Sequence, residues 1–168
     1  MKKMRSLKFL KKDILIFITG LALVSYPVIS NYMESREQAS QIDTYNSSVS
    51  ELSSANKQLV LNEAYQWNNS LYSKQKGLSE DSGLEYENVL DLGNGVIGTV
   101  EIPKIKVNMP VYHGTDSDVL NVGAGHLEDS SLPVGGNNTH TVLTGHRGLP
   151  SSKLFTRLDE LKKGDLFY

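Results

Sequence analysis

The sequence predicts a mainly β domain, a small β-barrel with short helical insertions, preceded by a transmembrane helix and a helical spacer. Three observations lead there. Residues 14–29, ILIFITGLALVSYPVI, carry no charge. Residues 34–73 contain neither proline nor glycine and are mostly polar. From Gly95 onward, short alternating apolar runs are cut by Pro103, Pro110 and glycine-rich turns, the pattern of short strands. The resulting divisions are 1–33, basic tail and anchor; 34–75, spacer; 76–94, lid-like loop or linker; and 95–168, the β domain.

The apolar run comes first. Sixteen residues span roughly 24 Å as a helix, and Phe9, Leu10, Tyr32 and Met33 extend it toward the ~30 Å hydrocarbon core. Lys2, Lys3, Arg5, Lys8, Lys11 and Lys12 precede it, opposed only by Asp13, whereas Glu34, Arg36 and Glu37 follow. The positive-inside rule therefore puts the N-terminus in the cytoplasm and the rest outside, at the cell membrane. The alternative, a cleaved signal peptide, has only Ser25-Tyr26-Pro27 and Ile29-Ser30-Asn31 to offer as small-x-small sites, and both are poor.

In the spacer, Ile42, Tyr45, Val49, Leu52 and Leu59 recur at near-heptad spacing, one stripe of an amphipathic helix, which Ala64, Trp67 and Leu71 continue more loosely. Such a helix serves as a stalk or docks on the following domain. Residues 74–94 are rich in glycine and acidic groups; Leu84–Leu92 is a candidate short helix, and the rest reads as loop. The β domain then offers strands between Gly95 and Gly114, one helical turn at Asp116–Val122 with Asp116 or Ser117 as cap, and strands at Gly123–Glu128 and Thr139–Gly145. A helix over Ser151–Leu161, capped by Ser151 or Ser152, is followed by a strand starting at Leu166.

Composition limits the chemistry. A net charge of −2 over 168 residues gives no reason to expect a nucleic-acid partner. The absence of cysteine excludes disulfides, thiolate metal sites and a thiol nucleophile within these residues. His140 and His146 are six residues apart, roughly 20 Å on an extended strand, too far to share a metal ion. No metal or cofactor is expected. Ser151 and Ser152 lie near His146 in sequence, which alone does not make a triad.

The stretch GNGVIGTVEIPKIKVNMPVYHGT, with GAGHLE, SLPVGG and TGHRGLPSSKLF behind it, resembles the sortases, membrane-anchored cysteine transpeptidases of Gram-positive bacteria. The wording is most similar to class C, the pilus-polymerising branch. The resemblance covers roughly Gly95 to Tyr168 and implies an incomplete sortase-type β-barrel. The family's nucleophilic cysteine, active-site arginine and roughly three last strands belong to positions after Tyr168. It also implies LPxTG-type sorting-signal proteins, pilins among them, as partners, and a pilin lysine amine as acceptor. A housekeeping sortase, whose acceptor is a cell-wall peptide, and a non-catalytic anchored binding protein derived from a sortase are the alternatives. Residues 74–90 lack the Asp-Pro-aromatic lid triad that many class C sortases carry.

His146 matches the family's catalytic histidine. Imidazole suits acid/base work because it titrates near neutrality, and Gly145 and Gly148 let the backbone turn beside it. Arg147 does not match the family's arginine, and on an extended segment it points away from its neighbour. His113 and His126 match the family's sequence without occupying the catalytic position; packing or hydrogen-bonding roles are expected for them.

Overall fold

The computed structural model describes residues 2–78, 81–149 and 154–168, with side chains described from Lys11 onward. One helix, α1 (Lys2–Glu51), runs unbroken from the basic tail through the apolar run into the polar spacer. From Lys11 it is long and apolar enough to cross a membrane, and its apolar stretch is not buried in protein. Past that stretch it docks on the domain. The Gln38 side-chain amide donates to the Val122 carbonyl at 2.9 Å, the Tyr45 hydroxyl donates to the Ile97 carbonyl at 3.4 Å, and Ile42 is buried.

The helix breaks at Leu52–Ser53, and Ser53 caps α2 (Ser54–Gln75) by accepting the Asn56 N–H at 3.1 Å. The break resets the helical phase. Leu59, expected on the inward stripe, is therefore 60% exposed, and Ala64, Trp67 and Asn68 face the domain in its place. Asn68 behaves like a strand residue: its amide donates to the Leu132 carbonyl at 3.2 Å, and its carbonyl accepts the Leu132 N–H at 2.7 Å. Tyr65 adds a bond to the Val134 carbonyl at 3.3 Å, so α2 clamps the 130–134 segment.

The sheet has four strands in the order β1 (Val96–Ile102), β2 (Val107–His113), β3 (Ala124–His126) and β4 (Leu143–Thr144). β1 and β2 form an antiparallel hairpin with Ile102 opposite Val107 and Thr99 opposite Pro110. Its turn is a 3₁₀ segment, Pro103–Ile105, closed by Lys106 in the left-handed region. β2 and β3 are parallel, which requires a crossover, and α3 (Ser117–Val122) supplies it. Asp116 holds the N-cap position but makes no side-chain cap bond. β3 and β4 are antiparallel. Val100, Ile102, Met109, Val111, Leu132 and Phe155 pack in the core, joined from outside the sheet by Ala64, Tyr86 and Val89.

Four expected elements are shorter or different, each for a local reason. The expected strand 123–128 keeps regular pairing only over Ala124–His126. The strand expected over 139–145 is regular only at Leu143–Thr144, because serine hydroxyls replace ladder carbonyls beside it: Ser131 Oγ accepts the His140 N–H at 3.1 Å and Ser130 Oγ accepts the Val142 N–H at 3.0 Å. The helix expected over 84–92 is a three-residue 3₁₀ turn, Tyr86–Asn88. In the expected helix 151–161, the cap serines lie outside the described residues. The described part is turn followed by a 3₁₀ segment, Leu158–Glu160, since the Phe155 N–H is bonded to the His146 carbonyl at 3.1 Å. Tyr168 exchanges both backbone bonds with Glu101 at 2.8 Å, pairing along the outer side of β1.

Candidate active site

The turn carrying His146 leaves β4 directly. Thr144 is paired with Gly125, and the next four residues are Gly145-His146-Arg147-Gly148. Both glycines are required by contact. A Cβ on Gly145 would lie 2.9 Å from the Phe155 ring, and one on Gly148, where φ is +133°, would lie 2.5 Å from the Thr156 hydroxyl. With the His146 carbonyl also bonded to the Phe155 N–H, the backbone of the turn is held against residues 155–156.

The imidazole is less constrained than its backbone. It is half-buried, and no hydrogen bond or ion pair to it is found among the described residues. Arg147 is exposed and reaches Asp159 at 3.3 Å, a surface pair of small energetic value. Alongside the turn lies an open cavity of about 690 Å³, walled by Val100, Ile102, Leu143, Thr144, Gly145, Phe155 and Leu161. Gly145 forms part of that wall; His146 itself does not.

The second histidine on this part of the sheet is built differently. His126 is completely buried. Its Nε2 lies 2.9 Å from the Ser131 carbonyl, which can only accept, so Nε2 carries the proton. Nδ1 is then free to accept the Tyr86 hydroxyl at 2.8 Å, while the Tyr86 oxygen accepts the Gly114 N–H at 3.2 Å. Burial holds the His126 pKa below the ordinary histidine value and pushes the Tyr86 phenol up to about 12. His113 stacks edge-on against Tyr86 with ring centres 4.4 Å apart; burial, then the neighbouring His126, lowers its pKa as well. Trp67 of α2 completes the group, its ring 5.6 Å from Tyr86.

The family model described as Sortase domain matches residues 100–168. Sortase C of Streptococcus pneumoniae is 45% identical to the chain; the match covers 76% of this chain and 65% of that one, with a TM-score of 0.65. Sortase C of Clostridium perfringens is 37% identical, covering 77% of this chain and 68% of that one, with a TM-score of 0.62. The chain belongs to the sortase family. Among curated relatives, Sortase D of Bacillus subtilis (strain 168) is 46% identical over 68 residues, 40% of this chain and 31% of that protein. The chain thus spans about a third of that relative and about two thirds of the two solved sortases C.

Within this sortase, the structure brings His146 to a glycine-bounded turn beside the apolar cavity and places His113 and His126 together around Tyr86. It does not gather three His, Asp or Glu side chains into a cluster suited to a metal ion among the described residues. The Tyr86–His126 bond was missed by the sequence reading. The available signal was His126 inside an apolar strand with Ser130 and Ser131 just after it, an arrangement that supplies buried partners.

Proposed function

We propose that these residues supply the acid/base half of a class C sortase. The enzyme cleaves an LPxTG-type sorting signal at a cysteine thiolate and passes the acyl group to a pilin lysine. The observation that carries this is His146: a half-buried imidazole, unbonded among the described residues, on a backbone fixed by Gly145, Gly148 and the Phe155 N–H, at the edge of an apolar cavity. In this role His146 protonates the departing amine and deprotonates the incoming one. The thiol is not among these 168 residues, so they form no thioacyl enzyme by themselves. The reading includes an anchor with its N-terminus in the cytoplasm and the sortase domain outside, from the lysine excess before Ile14.

The test is turnover of a fluorogenic LPxTG-type peptide by the complete product of the gene. His146→Ala should lower it by the ~10²–10⁴-fold typical of losing a general acid/base, with the fold intact, and the 168-residue chain should show none. Wild-type turnover in the His146→Ala protein would refute the assignment. A second reading, an anchored binding protein that keeps the sortase surface, is favoured by the lack of cysteine here. It predicts peptide binding without cleavage by the complete product.

A further inference from the structure

We infer that the turn of the β1–β2 hairpin, Pro103–Lys106, rests on the anionic headgroup surface of the membrane that α1 crosses. The inference depends on the anchor reading above and extends it to the domain's orientation. α1 is a single helix through both its apolar and its docked halves, so the position of the bilayer along it sets the height of the domain and leaves the tilt, with Pro27 inside the helix, to contacts at the surface. The mostly apolar run ends at Ile29; Ser30 and Asn31 are the first polar pair after it and Glu34 the first charge. Asn31 and Ser35 already line a cleft together with Lys106, Val107 and Asn108. At ~1.5 Å per residue, Asn31 stands roughly 3 Å beyond Ile29 and Ser35 roughly 9 Å. The polar headgroup layer of one leaflet is about 5–8 Å thick. The cleft therefore sits at headgroup depth and not above it.

The direction of the hairpin follows from its other contacts with α1. Tyr112, five residues along β2 from Val107, lines a second cleft with Glu37, Gln38 and Gln41, and Ile97 on β1 meets Tyr45. Moving up α1 from Asn31 to Tyr45 thus moves away from the turn on both strands. The Pro103–Lys106 end is the one nearest the membrane. Its exposed side chains are Pro103 and two lysines. Lys104 is paired with Asp165 at 2.6 Å, whereas Lys106 is exposed and has no ion pair among the described residues. A lysine at a headgroup surface is attracted by anionic lipid over about one Debye length.

The absence of cysteine makes the test direct, because single labels can be introduced. The full chain carrying a fluorophore at Pro103→Cys or at Thr115→Cys is placed in vesicles of phosphatidylcholine and phosphatidylglycerol, 3:1, containing a lipid with a nitroxide on its headgroup. The two positions are separated by the length of β2, seven residues, or roughly 23 Å. Quenching should be several-fold stronger at 103 than at 115. Adding Lys106→Asn, which suits the left-handed backbone there, should reduce quenching at 103 about fivefold in the anionic vesicles and leave it unchanged in pure phosphatidylcholine. Equal quenching at 103 and 115 in chain that floats with the vesicles overturns the inference and leaves the anchor standing. Chain that does not float with the vesicles overturns both. Quenching at 103 that ignores Lys106→Asn overturns the assignment of the headgroup charge as the partner.

Discussion

His126 on β3 and His146 just beyond β4 each follow a glycine, and their strands are hydrogen-bonded neighbours. At His126 both ring nitrogens are committed, one to the Ser131 carbonyl and one to the Tyr86 hydroxyl, and the ring is sealed from solvent. At His146 the backbone is committed and, among the described residues, the ring is not. A ring with both nitrogens occupied holds a fold together and exchanges no proton with a substrate. A ring on a fixed backbone with open nitrogens has the freedom that acid/base transfer needs. The difference lies in which part of the residue the fold uses.

The largest effect that separates the two sites is on stability. His126→Ala leaves a cavity and strands the Ser131 carbonyl, while the Tyr86 hydroxyl keeps only the backbone carbonyl of residue 126 and the Gly114 N–H, so it should cost about 3 kcal/mol. Urea unfolding of the detergent-solubilised chain, followed by the fluorescence of Trp67, measures this, since that ring packs against Tyr86. Tyr86→Phe keeps the packing and removes the bond, and should cost about 1–2 kcal/mol. If both variants unfold like the parent, the buried network is not what holds residues 84–92 to the sheet.

Acid provides the next comparison. The folded-state pKa values of His126 and His113 are both lowered, by burial first. The unfolded chain therefore binds more protons than the folded one once pH falls below the ordinary histidine value of about 6.5. Stability from this source is full above that pH and is lost as pH drops from it through the folded-state values. Glu128, Glu87 and Asp91 are the acidic groups acting on Tyr86 and His113. Unfolding free energy measured between pH 7.5 and 5.5 should fall with acid, and the slope should shrink in His126→Asn. An unchanged slope would remove His126 as its source. The smallest effect belongs to the other ring: His146→Ala should shift unfolding by no more than ~0.5 kcal/mol, as expected for a side chain with no partner among the described residues.

The sequence reveals the long elements and the turn at His146 because those depend on local pattern. A charge-free run flanked by lysines, strands broken by Pro103 and Pro110, and glycines on both sides of His146-Arg147 are visible within a few residues. What stayed hidden depends on partners far along the chain. Leu59 leaves the apolar stripe because Ser53 restarts the helix, and a lone serine in a polar stretch does not announce a break. Residues 139–142 alternate like a strand, and the His140 and Val142 carbonyls accept backbone N–H groups as in a ladder, yet their own N–H groups go to the hydroxyls of Ser131 and Ser130. Tyr86, in a segment with the composition of a linker, is anchored by a histidine 40 positions away. None of these pairings leaves a periodic trace.

The bond from Gln38 to Val122 spans 84 positions and that from Asn68 to Leu132 spans 64. Synthesis proceeds from the N-terminus at about 5–20 residues per second, so Gln38 emerges roughly 4–17 s before the residue it will bind. During that interval the inward faces of α1 and α2, with Ile42, Ala64 and Trp67, have no sheet to cover them. A holding factor acting on newly made chain would have its target here, in the two helices, before a single strand exists.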